Sequence, residues 1–199
     1  MHDKKEIAEA MADKIKSISY DDVYHYPGKI AVETYTAGAI FIEPGDVCQY
    51  FYFIKKGIVR TYYVSGKNEL EKTIFIRLEG DHFGDYYALI RNLESRLYFE
   101  CLEDCIFYRF ELSELQSYVY SNERMLSVAF DFMMNLIAEY IIRQEDFIFF
   151  TAEERYIKFS KEYPEIISRV PAKYISSLLG ITPVSLSRIK KRIQRRSEK

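Results

Sequence analysis

Tryptophan is absent from this chain. Histidine, cysteine, proline and glycine are scarce, with three, three, five and eight residues among 199. Each shortage excludes something. Cys48, Cys101 and Cys105 are too few for a disulfide framework and form no CxxC pair. Cys101 and Cys105 share a C-x3-C spacing, but in strand-like sequence, where buried thiols are the ordinary outcome. His2, His25 and His82 are isolated, so no cluster of His and carboxylate ligands is on offer to a metalloenzyme. No catalytic residue, metal site or cofactor is assigned. No apolar run reaches ~18 residues, so no membrane span is expected. No apolar stretch follows a basic N-terminus, so no signal peptide is expected. The expected setting is cytoplasmic and reducing.

What is present is apolar and aromatic. Hydrophobic residues make up 48%, with 18 Tyr and 14 Phe, which is ample for a core. The net charge is only −2, but its distribution is uneven. Residues 170–199 hold eight basic side chains against one acid, Glu198, a net of +7, which leaves −9 for the rest. An acidic body with a basic end points to phosphate binding at that end alone.

The basic end is VPAKYISSLLGITPVSLSRIKKRIQRRSEK. Ile175, Leu178 and Leu179 repeat at helical spacing. Gly180 suits the left-handed residue that stops a helix. Thr182 caps the next helix and Pro183 takes its first position, where a missing N–H does no harm. Leu186, Ile189 and Ile193 form its buried stripe, and Ser185, Ser187, Arg188, Lys191 and Arg192 fall largely outside it. Two helices about a glycine turn, the second small and basic outward, have the layout of a helix-turn-helix.

Upstream, residues 3–18 place Ile7, Ala8, Met11, Ile15 and Ile18 on one helical face, and Tyr24–Pro27 reads as a loop. From Lys29 to Phe110, short β-branched and aromatic segments alternate with glycine turns, the pattern of an antiparallel sandwich or barrel. Ser113-Glu-Leu-Gln116 offers a capping box for a short helix. A long helix then spans about Asn122 to Phe149. Leu126, Phe130, Met133, Ile137, Tyr140 and Phe147 follow heptad spacing, with Gln144 the polar member. A second face carries Met125, Ala129, Phe132, Leu136 and Ile141. Two apolar faces imply two partners, one within the chain and one a second copy. Thr151-Ala-Glu-Glu154 is another capping box and marks a boundary near Phe150–Thr151.

In this order the chain resembles the catabolite activator/Fnr superfamily of bacterial transcription regulators. EPGDVCQYFYFIKKGIVRTYYV (Glu43–Val64), LEGDHFGDYYAL (Leu78–Leu89) and YISSLLGITPVSLSRIKKRI (Tyr174–Ile193) carry the likeness, which extends from about Lys29 to Ile193. The resemblance implies an α+β chain. A cyclic-nucleotide-binding-like antiparallel β-roll with its N-terminal helix would occupy 1–120. A dimerisation helix would follow at 121–150, and a winged-helix-like helix-turn-helix with a reduced wing at 151–199. It implies a homodimer on double-stranded DNA, with RNA polymerase as a further partner if the protein activates transcription.

In cyclic-nucleotide-binding relatives a Phe-Gly-Glu segment offers its carboxylate to the ribose, and an Arg-Ser/Thr pair about ten residues on holds the cyclic phosphate. Here Gly84 is followed by the shorter Asp85, and Ser95-Arg96 stands in reversed order. A one-residue shift in extended chain turns a side chain to the other face. Tyr86 and Tyr87 add bulk. The resemblance therefore marks Gly84, Asp85, Tyr86, Ser95 and Arg96 as the effector site, for an effector other than cAMP or none. An iron–sulfur sensor would need several N-terminal cysteines, and none precedes Cys48. A haem sensor would have to use His25 or His82.

By position, the family's base-reading residues correspond to Pro183, Val184 and Arg188. Arg188 suits bidentate contact with guanine, and Val184 suits a thymine methyl. The expected DNA-facing set is Thr182, Pro183, Val184, Ser185, Ser187, Arg188, Lys191 and Arg192. Lys190, Arg195 and Arg196 lie where phosphate contact dominates. Two further readings stand beside this one. The first is a regulatory module whose terminal helices dock a protein. The second is a β-roll metalloenzyme, which the missing ligand cluster disfavours.

Overall fold

The structure, a computed structural model, describes residues 4–15, 17–66 and 69–197. His2, Asp3, Lys16, Glu198 and Lys199 lie outside the described residues. Helices α1 (Lys4–Lys14) and α2 (Tyr20–Tyr24) come first. The strands are β1 (Ile30–Tyr35), β2 (Ile40–Ile42), β3 (Tyr50–Lys56), β4 (Val59–Ser65), β5 (Leu70–Arg77), β6 (His82–Phe83), β7 (Tyr98–Cys101) and β8 (Cys105–Glu111). Helix α3 (Tyr86–Arg91) stands between β6 and β7. Then follow α4 (Leu112–Ser121), α5 (Glu123–Phe149), α6 (Ala152–Glu162), α7 (Pro164–Arg169), α8 (Ala172–Leu178) and α9 (Pro183–Ser197). The strands form two four-stranded sheets, β1-β8-β3-β6 and β2-β7-β4-β5. The recorded pairings are antiparallel, so this is an α+β chain built on a β-roll.

Two compact units emerge, Met1–Thr61 with Arg77–Leu136, and Tyr62–Ile76 with Ile137–Lys199. The division falls within β4 and α5 and at the end of β5.

In the first unit, β3 shows no polar alternation (Tyr-Phe-Tyr-Phe-Ile) because both of its faces are covered. Tyr52 and Ile54 turn inward to join Ile42, Phe83, Phe99 and Phe107 between the sheets. Phe53, on the other face, packs with Tyr108 and Phe110 under Ile7, Ala8 and Met11 of α1 and Val23 of α2. The rings interlock, with Tyr52 stacked 4.9 Å from Phe83, and Phe107 about 5 Å from both Phe83 and Phe41. Burying each such ring contributes about 1.5–3 kcal/mol.

Three helices differ from the sequence reading. The N-terminal helix ends at Lys14, and α2 occupies the start of the stretch read as a loop. Ser19 caps α2. Its hydroxyl accepts from Asp22 N (3.3 Å) and its N–H donates to Asp22 Oδ2 (2.7 Å). Arg124 Nε and Nη2 also donate to the Asp22 carboxylate at 2.8 and 2.9 Å. Burial pushes the Asp22 pKa up, but the bonds from Arg124 and Ser19 outweigh it and hold the carboxyl at about 2. Helix α4 begins at Leu112 with no side-chain cap, and Ser113 donates to Glu111 Oε1 (2.7 Å) instead of capping it.

Helix α5 packs one face along most of its length. In the first unit Met125 and Leu136 are buried, and Phe132 meets Phe51 and His82, with ring centroids 5.8 and 4.2 Å apart. In the second unit the packed face continues through Arg143 and Asp146. Arg143 donates to the Ile74 carbonyl and lies over the Phe75 ring, and Asp146 accepts from Lys158 (2.7 Å). Ile141, expected on that face, is exposed, because the helical repeat from Leu136 leads to Arg143. The heptad residues Leu126, Phe130, Met133, Ile137 and Tyr140 stand between 44% and 65% exposed. Phe147 differs from them. Arg155 lies over its ring at 4.8 Å, and Gly180 sits so close that a Cβ there would meet Phe147 at 2.9 Å. By length and composition α5 is long and apolar enough to cross a membrane, with a window of mean hydropathy 1.5 that is 11% buried. Counting uninterrupted apolar residues missed this, because Asp131 and Asn135 break the run.

In the second unit α6 starts on the predicted capping box. Thr151 Oγ1 accepts from Glu154 N (3.3 Å), and Thr151 N donates to Glu154 Oε2 (2.8 Å). Helix α7 fills the stretch between Tyr163 and Val170, and no strand stands there among the described residues.

Candidate nucleic-acid interface and effector cassette

Helices α8 and α9 are joined as the sequence requires. Gly180 has φ +71°, the left-handed region. Gly180 N donates to Ser177 O (3.1 Å) and Ile181 N to Ser176 O (2.9 Å), the paired bonds that satisfy the last carbonyls of a helix. Thr182 Oγ1 accepts from Ser185 N (3.1 Å) and lies 3.0 Å from Ser185 Oγ. Both hydroxyls are therefore engaged in starting α9. Ile175, Leu178, Leu179, Leu186 and Ile189 are buried, which fixes the outward face of α9. Ser177 Oγ accepts from Thr73 N of β5 (2.9 Å), so α8 is tied to that strand within the same unit.

Of the DNA-facing set, Thr182, Pro183, Val184, Ser187, Arg188, Lys191 and Arg192 are exposed, and Ser185 is half-buried. Val184 is 60% exposed. Lys190 turns back to lie 5.7 Å from the Tyr156 ring. Arg192 and Arg196 are exposed but tied back to α6. Each donates through Nη1 to the Glu153 carboxylate of α6, at 2.6 Å. An open groove of about 620 Å³ runs beside them, lined by Thr151, Glu153, Ser185, Arg188, Arg192 and Arg196. The Glu153 contact was invisible in the sequence, since its partners lie 39 and 43 residues away.

The cassette in the roll has a different character. Gly84 follows β6 and packs against Leu89, where a Cβ would lie 3.0 Å from Leu89 Cδ1. Asp85 is buried and caps α3, its Oδ1 accepting from Ala88 N (3.1 Å). Its Oδ2 accepts from the buried Ser95 hydroxyl at 2.9 Å. Ser95 Oγ also accepts from Leu97 N (3.1 Å). Arg96 points the other way, exposed, with its guanidinium 4.7 Å above the exposed Tyr87 ring. Tyr86 does not fill the roll either. Its hydroxyl lies 2.9 Å from His82 Nδ1. Burial first, and the Arg77 charge second, hold the His82 pKa down at about 4. The roll interior is filled by Tyr35, Phe41, Tyr52, Phe83, Phe99 and Phe107. A buried pair, Arg60 with Glu100 at 3.0 Å, lies on the strands of the second sheet. Among the described residues no group of three or more His, Cys, Asp or Glu is placed to hold a metal.

Comparison with known proteins agrees with this architecture. The family model for the cyclic nucleotide-binding domain matches residues 32–122. No curated protein matches the sequence. Among solved structures, FixK2 from Bradyrhizobium japonicum superposes with a TM-score of 0.72 at 17% identity, covering 85% of this chain and 86% of that one. CLP, the c-di-GMP responsive global regulator from Xanthomonas campestris, gives 0.65 at 14% identity over 84% and 88%. A CooA mutant from Carboxydothermus hydrogenoformans gives 0.64 at 18% identity over 83% and 77%. The segment that matches that model thus holds the β-roll, and helices follow it. Over 83–85% of its length it has the Crp/Fnr fold.

Proposed function

We propose that this protein is a bacterial, cytoplasmic, sequence-specific DNA-binding transcription regulator that works as a homodimer. The observation that carries the reading is α9. Its apolar stripe is buried, its start is capped, and Pro183, Val184, Ser187, Arg188 and Lys191 are left exposed on one short helix. Arg188 is the base reader, Val184 the apolar contact to a thymine methyl, and Lys191 a phosphate contact. Residues 151–199 form the DNA-binding domain and 121–150 the dimerisation helix. The exposed row Leu126, Phe130, Met133, Ile137 and Tyr140 supports a second copy on α5.

An effector, if one acts, differs from cAMP. Asp85 and Ser95, the groups offered to a cyclic nucleotide in relatives, are engaged with each other and with backbone, and Arg96 faces away. Selection from a pool of random duplexes tests the proposal. The expected outcome is a two-fold symmetric site with half-sites ~34–36 Å apart. Binding without sequence preference and without salt dependence would refute it.

A further inference from the structure

We infer that Glu153 is a specificity-determining residue: it withholds Arg192 and Arg196 from the DNA backbone, so that base reading by α9 outweighs sequence-blind phosphate attraction. The inference rests on the DNA-binding reading above. It starts from a charge imbalance. Helix α9 carries six cations, Arg188, Lys190, Lys191, Arg192, Arg195 and Arg196. Unopposed, this charge would bind any duplex, since phosphate attraction is independent of sequence.

Glu153 opposes it at one place. Its Oε2 takes Arg192 and its Oε1 takes Arg196, so one carboxylate uses both oxygens on two guanidiniums. Arg192 and Arg196 sit one turn apart on α9, where like charges repel, and the shared carboxylate relieves that repulsion. Its side chain is 15% exposed, whereas the arginines are 58% and 69% exposed. The anion is thus held by its surroundings, and the cations come to it. An isolated exposed ion pair contributes little, but a carboxylate fixed at a capped helix start and shared by two arginines is a small network. It stands where a phosphate would have to compete, beside the groove that also holds Arg188 and Ser185. Arg188, Lys191 and Arg195 are exposed and make no ion pair among the described residues.

The test is the salt dependence of binding to a random-sequence duplex and to the selected site, for the full chain. Glu153→Gln removes one negative charge and releases two arginines. It is expected to steepen the slope of log affinity against log salt on random duplex by about 0.9–1.8 and to lower the ratio of specific to non-specific affinity roughly tenfold. Arg192→Ala with Arg196→Ala should leave the wild-type slope nearly unchanged, and should return the Glu153→Gln slope to the wild-type value. An unchanged slope in Glu153→Gln, or a shallower slope in the arginine variant of the wild type, overturns the inference and leaves the DNA-binding reading standing. If Glu153→Gln is misfolded by circular dichroism, the arginine variant decides alone. A wild-type protein with no salt-dependent DNA binding overturns the DNA-binding reading itself.

Discussion

The cassette of the roll and the reader helix α9 use the same kinds of side chain in opposite ways. In the cassette, Asp85 caps α3 and accepts from Ser95, and Ser95 accepts from Leu97 N. Asp85 and Ser95 are thus matched internally, and Arg96 lies exposed over the Tyr87 ring. On α9 Leu186 and Ile189 are buried, and Ser187, Arg188, Lys191 and Arg195 face solvent with no ion pair among the described residues. A buried polar group without a partner is costly, so a region folds stably by satisfying such groups and binds by leaving exposed ones free. On the proposed reading, α9 keeps exposed groups for a new partner, while Asp85 and Ser95 hold α3 in place.

The comparison can be broken at either end. The largest effect is expected in the roll interior. Phe107→Ala should destabilise the protein by about 3–5 kcal/mol in denaturant unfolding, because six aromatic rings meet there. A loss under 1 kcal/mol would mean the roll holds space for a ligand. Next comes His82. Its folded pKa, about 4, lies below the ~6.5 of an unfolded histidine, so the unfolded state takes up the proton first on acidification. Stability should therefore fall as the pH drops below ~6.5, by roughly 2 kcal/mol by pH 5, and flatten below the folded pKa. His82→Gln should remove that part of the slope, as read from denaturant midpoints at pH 7 and pH 5.

Smaller effects separate the two regions. Arg188→Ala should weaken binding to the preferred site by about 1–3 kcal/mol and relax base choice at one position, without a change in melting temperature. Ser95→Ala should do the reverse. It removes a donor from the buried Asp85 carboxylate, for a stability loss of about 1–2 kcal/mol, and leaves DNA affinity intact. Loss of DNA binding in Ser95→Ala, with the fold retained, would show that the cassette is a working part of the switch.

Much of this was legible in the sequence where the governing contact is local. Gly180, Thr182 and Pro183 lie within four residues of the bonds they make, and the stripe Leu186–Ile189 repeats at helical spacing. The Thr151–Glu154 box was equally legible. The capping box of α2 is also local, since Ser19 and Asp22 stand three apart, but it is masked by apolar and acidic neighbours. The rest of what escaped is long-range or doubly covered. The strands β3 and β8 bury both faces, so alternation could not say which rings fill the roll. Ile141 fits an apolar pattern yet faces solvent, because the packed face of α5 turns polar after Leu136. The tie between Glu153 and α9, and that between Ser177 and Thr73, join segments whose separation no local pattern encodes.

The most direct measurement is a titration of the selected duplex with the purified protein at several salt concentrations, with and without cAMP, for wild type and Arg188→Ala. The expected result is salt-dependent, sequence-preferring binding that cAMP leaves unchanged and that Arg188→Ala weakens on the preferred site alone. Binding that appears only with cAMP, or that is indifferent to Arg188→Ala, would contradict the assignment of a closed cassette and an open reader.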